Sequence, residues 1–171
     1  MKKIFTLAIA LVLLCQSALA FEEKVIMVRS DKMDKDVPVT VMLPDSYESF
    51  TKLPVLYLLN GWSGTHRHWP ERGNVGPLAD AYNIILVMPD TGYDSWYFDS
   101  TVTPEYQYET FVSSELVNYI DSNYSTVKDR KGRAITESTT SNTCHAIRDS
   151  HRGEGGATVE STNCNPPETN R

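Results

Sequence analysis

The sequence predicts an α/β fold, a mixed and mostly parallel sheet with helices on both faces. Two runs carry that prediction, "LPVLYLLN" at 53–60 and "YNIILVMPD" at 82–90. Both are apolar without alternation, as strands covered on both faces by helices are. The third observation is a helical pattern after each of them, which supplies the crossovers a parallel sheet needs.

Each element follows in chain order. Lys2 and Lys3 precede an apolar run from Ile4 to Leu14, and Ala18-Leu19-Ala20 places small residues where a signal peptidase cuts. Residues 1–20 therefore read as a secretory signal peptide, too short for a membrane anchor. The exported chain starts near Phe21, in a periplasmic or extracellular setting with no membrane attachment. Residues 24–28 and 37–43 are β-rich, and the charged turn "RSDKMDKD" between them makes a hairpin. Pro44-Asp45-Ser46-Tyr47 breaks the pattern before the first buried strand. "VGPLADAY" at 75–82 is a short crossover helix. Between 108 and 123, Val112, Leu116, Tyr119, Ile120 and then Tyr124 mark an apolar stripe at helical spacing. Lys131-Gly132 ends that connection and "RAIT", 133–136, begins another strand.

After Thr136 the composition changes. Residues 137–171 contain only Ile147 and Val159 as large aliphatics and no aromatic residue. Such a segment buries too little apolar surface to offset about 1–2 kcal/mol of backbone entropy per ordered residue, so it reads as a disordered tail. The domain proper is 21–136. The formal charge of −6 lacks any basic run, which argues against a nucleic-acid partner. Of three cysteines, only Cys144 and Cys164 lie beyond the signal peptide. They either pair in an oxidising compartment or are incidental thiols of the tail.

Open α/β sheets bind ligands outside the carboxyl ends of their strands. Three such ends are visible: "GWSGTHRHW" from Gly61, "TGYDSWYFD" from Thr91, and the polar tail after "RAIT". Gly61 and Gly64 permit a tight turn with backbone N–H groups aimed inward, as an oxyanion hole requires. His66 and His68 lack further ligands beyond Glu71 in close sequence range. Metal ligation needs three or four convergent groups, so no metal is assigned. No cofactor is implied either.

"LPVLYLLNGWSGTHRHW", "IILVMPDTGYDSWYFD", "YETFVSSELVNYIDSNY" and "RAIT", in that order, resemble the esterase D-like branch of the α/β-hydrolases. That branch includes S-formylglutathione hydrolases, feruloyl and acetylxylan esterases, and mycolyl transferases. The resemblance spans about 37–136, the N-terminal part of such a sheet. It implies a serine esterase acting through an acyl-serine on a small-molecule or polysaccharide ester. By resemblance Trp62, after Gly61, donates its backbone N–H to the oxyanion, and Asn60 replaces the His or Asp often found before that glycine. Gly61, Ser95, Trp96 and Tyr97 would line the substrate pocket.

The same resemblance places G-x-S-x-G directly after "RAIT". Here those positions read Glu137-Ser138-Thr139-Thr140-Ser141, so Thr139 fills the nucleophile slot without its flanking glycines. The acid and the His of a triad should follow far downstream. Only His145 and His151 do, inside the tail. The chain is thus expected to be an inactive, truncated or frame-disrupted form of an exported esterase. The alternative is a secreted binder of carbohydrate or acyl esters, with Trp62, Trp69, Trp96 and Tyr97 as its contacts. Ordinary core packing of those aromatics is the competing explanation. In this fold the nucleophile strand is central with more strands beyond it, so if the sheet stops at "RAIT" that strand becomes an exposed edge.

Overall fold

A computed structural model describes residues 21–93 and 96–136, and the backbone alone of Glu137, Thr143–Arg148 and Thr158–Asn163. The signal-peptide assignment, Ser95, Thr139 and Cys164 fall outside the described residues.

The predicted hairpin forms and is longer than its apolar cores. β1 (Phe21–Ser30) pairs antiparallel with β2 (Lys35–Pro44), from Phe21↔Pro44 to Ser30↔Lys35. β2 then pairs antiparallel with β4 (Ile85–Pro89), which lies parallel to β3 (Val55–Leu59). β5 (Arg133–Glu137) runs parallel to the other side of β3, giving the order β1-β2-β4-β3-β5. Among the described residues "RAIT" is therefore an edge strand of this sheet, the arrangement expected if no further strand pairs beyond it.

Two helix layers explain the unbroken apolar runs. Val55, Tyr57, Leu59, Ile85 and Val87 point into one core, whereas Leu58, Leu86 and Met88 point into the other. The first core is closed by α3, residues 108–123, through Phe111, Val112, Leu116 and Ile120. The second is closed by α2 (Gly76–Tyr82), with Val75 and Ala79 against the sheet. Full burial of each such aliphatic contributes about 1.5–3 kcal/mol. β2 is covered on both faces too, so its sequence alternation does not translate into an exposed face.

Local chemistry sets the helix limits. α2 starts with Pro77 in its first turn and stops at Asn83, left-handed at φ 51°, whose N–H returns to the carbonyls of Ala79 and Asp80. Such caps satisfy carbonyls that the helix leaves open. A short helix, α1 (His68–Gly73), has no buried residue and hence no apolar periodicity to announce it. α3 widens to a π-helical turn over Phe111–Glu115. The carboxylate of Glu115 accepts from Ser30 Oγ at 2.6 Å and from the Lys32 N–H at 2.9 Å, fastening the hairpin turn to the helix.

The composition of 137–171 predicted no regular structure, yet Thr143–Arg148 and Thr158–Asn163 pair as a separate antiparallel ladder, β6 and β7. Thr, Val and Ile favour extended backbone, and a two-stranded ladder alone is marginal in water.

Candidate functional site

β3 occupies the place where strand order reverses. The chain goes from β3 to β4 on one side, then passes β3 again to reach β5 on the other. The crevice at such a reversal, outside the carboxyl ends, is where open α/β sheets bind ligands. The ends of β3 and β5 are level, with Leu58 opposite Thr136 and Leu59 opposite Glu137. The end of β5 thus lies beside the start of the loop at Asn60.

That loop is a tight turn. The N–H of Gly64 donates to the Gly61 carbonyl at 2.9 Å, and Ser63 adopts φ 58° at the third position. The left-handed residue is therefore a serine, not one of the two glycines. Gly64 is required for close approach instead, because a Cβ there would lie 2.9 Å from both Asn60 Cβ and the Gly61 oxygen. The turn is tied to the loop after β4 by Ser63 N–H donating to Tyr93 O at 2.8 Å. With Ser63 and Gly64 N–H both engaged, the N–H of Trp62 has no acceptor among the described residues.

Asn60 sits beneath this turn, nearly fully buried. Its Oδ1 accepts from Thr91 Oγ1 at 3.0 Å and from Thr91 N–H at 3.4 Å, while its Nδ2 donates to Gly61 O at 3.1 Å. Tyr97, at φ 55°, donates its hydroxyl to Asn60 O at 2.5 Å. Gly92 is left-handed at φ 79°, and its N–H donates to Asp90 Oδ1 at 2.9 Å. The spacing of "TGYDSWYFD" gave no hint that Thr91 and Tyr97 brace the neighbouring strand end.

The aromatic residues divide into two groups. Trp69 is a packing residue, its Nε1–H donating to Leu59 O at 2.9 Å and its ring against the α2-side core. Trp62, Tyr93 and Trp96 are 74%, 68% and 77% exposed, and the Trp62 and Tyr93 rings meet edge to face at 6.2 Å. Core packing does not account for these three.

His66 and His68 diverge. The His66 Nδ1 lies 2.8 Å from Oγ1 of buried Thr40, whereas the His68 ring meets Trp69 edge to face at 6.2 Å. Burial holds the His66 pKa below its ordinary value, against an opposing pull from the Asp90 carboxylate. Arg67 pairs with Glu23 and Glu71, so the segment is strapped to β1 and to α1.

Comparison with known proteins gives a consistent result. The family described as "Putative esterase" matches residues 30–137. Esterase Rv1288 of Mycobacterium tuberculosis is 37% identical over 103 residues, 57% of this chain and 22% of that protein. A solved ferulic acid esterase is 33% identical with a TM-score of 0.61, covering 71% of this chain and 49% of that one. An S-formylglutathione hydrolase from Agrobacterium tumefaciens shares the fold at a TM-score of 0.62 and 20% identity, over 72% of this chain and 51% of that one. The chain thus spans about a fifth of the curated relative's length and about half of each solved chain.

Proposed function

Because the chain belongs to the "Putative esterase" family, we propose that it presents the oxyanion and pocket side of a carboxylic-ester hydrolase centre without a working nucleophile. The Trp62 N–H at the β3–β5 reversal, which has no acceptor among the described residues, is the observation that carries this reading. In ester hydrolysis through an acyl-serine, the hydroxyl oxygen attacks the ester carbon while a base takes its proton. The carbonyl oxygen then becomes an oxyanion held by backbone N–H groups, and the alcohol leaves protonated. Removing one such donor costs about 10²–10³ in rate. By resemblance to the family, the Trp62 N–H takes that role, Gly61 keeps side-chain bulk away, and the segment of Ser95, Trp96 and Tyr97 supplies the acyl side.

The nucleophile side is where this sequence departs from its family. Thr139 occupies the slot, and Glu137 and Ser141 replace the glycines that a sharp strand-to-helix turn requires. A Thr hydroxyl without a positioned base is a poor nucleophile at neutral pH. The expected result is p-nitrophenyl acetate hydrolysis at the buffer rate, unchanged by Thr139→Ala. Robust turnover abolished by that substitution overturns the reading. A disrupted reading frame near Glu137 would account for the abrupt change of composition. It requires a G-x-S-x-G and a later His in another frame of the gene. The proposal includes export, with residues 1–20 removed, which N-terminal sequencing of the secreted product near Phe21 checks.

The exposure of Trp62, Tyr93 and Trp96 favours a second reading, retained binding of an aryl ester or a sugar without turnover. Saturable quenching of tryptophan fluorescence by a feruloyl ester or a xylo-oligosaccharide supports it. A flat titration of the folded protein removes it.

A further inference from the structure

We infer that Asn60 is the positioning residue that aims the Trp62 N–H into the crevice between the ends of β3 and β5. The inference rests on the reading of Trp62 as the oxyanion donor. It extends that reading to a side chain that never touches the substrate.

The argument starts from the peptide plane. In a trans peptide the carbonyl and the N–H point in opposite directions, so fixing the Gly61 carbonyl fixes the direction of the Trp62 N–H. The Gly61 oxygen is held by two donors, Gly64 N–H at 2.9 Å and Asn60 Nδ2 at 3.1 Å. Gly64 belongs to the turn itself, so it moves with the turn. Asn60 does not, since its other side-chain atom is anchored on β4's loop through Thr91 Oγ1 at 3.0 Å and Thr91 N–H at 3.4 Å.

The amide orientation of Asn60 is set by its partners. A backbone N–H only donates, so the atom facing Thr91 N is the oxygen and the atom facing Gly61 O is the NH₂. Tyr97 adds a further restraint, its hydroxyl donating to the Asn60 carbonyl at 2.5 Å and lying 3.4 Å from Oδ1. Asn60 is 3% exposed and Thr91 is 1% exposed. Swinging the amide away would leave buried polar groups unpaired, which the fold resists. Asn60 therefore links the ends of β3 and β4 and transmits their fixed geometry to one peptide plane. An asparagine is suited to this because one side chain both accepts from Thr91 and donates to Gly61 O. An ionised aspartate could only accept.

The test uses ¹⁵N-labelled protein and the Asn60→Asp variant, which keeps the acceptor for Thr91 and replaces the donor facing Gly61 O. Residual dipolar couplings of backbone N–H bonds report their directions. We expect the Trp62 coupling to change while those of β2, β3 and β4 superpose on the parent protein. An unchanged Trp62 coupling overturns the inference. A parallel titration with ferulate, a carboxylate probe, should move the Trp62 amide resonance saturably in the parent. In Asn60→Asp that binding should be about tenfold weaker, the loss of one well-aimed hydrogen bond. Equal ferulate shifts in both proteins also overturn the positioning role while leaving Trp62 as the donor. Ferulate that leaves Trp62 unmoved in the parent removes the oxyanion reading, and the couplings then decide the role of Asn60 alone. Should Asn60→Asp fail to fold, Thr91→Val takes its place, since it releases the anchor and must likewise turn the Trp62 N–H. No change there overturns the inference.

Discussion

Gly64→Ala is the most informative single substitution in the loop. The added Cβ would sit 2.9 Å from Asn60 Cβ, 2.9 Å from the Gly61 oxygen and 3.1 Å from His68 Nδ1. Ordinary contact needs roughly 0.5 Å or more beyond the first two. One of these neighbours is backbone and accepts the Gly64 N–H at 2.9 Å, so relief of the clash pulls apart the turn. Overpacking costs about 1–3 kcal/mol and the weakened hydrogen bond about 0.5–1.5 kcal/mol, together about 2–4 kcal/mol. With a urea slope of about 2 kcal/mol/M, the unfolding midpoint should fall by about 1–2 M. Tryptophan fluorescence follows the transition. Gly73→Ala is the control, because its Cβ meets only side chains, Val75 Cγ1 at 3.1 Å and Trp69 Cε3 at 3.3 Å. Its midpoint should stay within about 0.5 M of the parent, aided by alanine's better helix propensity. If Gly64→Ala shifts no further than Gly73→Ala, the close approach of the turn to Asn60 is not a constraint and the reasoning fails.

Other perturbations test separate parts of the fold. The Tyr57 hydroxyl is buried without a partner among the described residues, and burial, with the Asp121 carboxylate adding to it and Arg133 opposing, raises its pKa far above the ordinary phenol value. Tyr57→Phe should therefore raise stability by about 1 kcal/mol in urea unfolding. Asp121 accepts from Thr126 Oγ1 at 2.6 Å and pairs with Arg133 at the start of β5. Both charges keep some solvent contact, so Asp121→Ala should cost about 2–3 kcal/mol, less than a fully buried pair, measured the same way. Phe111→Ala empties a fully buried position between α3 and the sheet and should cost about 3–5 kcal/mol, read from thermal or urea unfolding. The His66 pKa is depressed in the fold, so the unfolded chain takes up its proton first as the pH falls. Stability from this residue is whole above about pH 6.5 and is lost as the pH drops through the folded value. Urea midpoints measured from pH 7.5 to pH 5 should decline, and His66→Gln should reduce that decline.

The layered architecture was legible because burial writes itself into composition. β3 and β4 announce two covered faces by lacking polar residues, and the stripe of Leu116 and Ile120 announces α3. Phe111 escaped that stripe because the π-helical turn shifts the phase of the helix just there. α1 escaped because none of its residues is buried. Trp62 was singled out in the sequence only through the family resemblance, as the residue after Gly61. The bracing of its peptide plane was not, since Thr91 and Tyr97 lie 31 and 37 positions from Asn60 and no local spacing connects them. Asn60 stood out in the sequence only as an unusual neighbour of Gly61. The exposure of Trp62, Tyr93 and Trp96 was equally hidden, because an aromatic side chain fits a core and a mouth alike.

The reversal of strand order at β3 also sets a timetable for synthesis. Val55 of β3 pairs with Arg133 of β5, about 80 positions later in the chain. At translation rates of about 5–20 residues per second, β3 waits about 4–16 s for that neighbour. During the interval its second edge, flanked by Leu56 and Leu58, presents unpaired backbone to the crowded ribosome exit. An open edge of this kind invites association with other chains, so chaperone depletion should lower the yield of folded protein before it lowers the stability of the molecules that do fold.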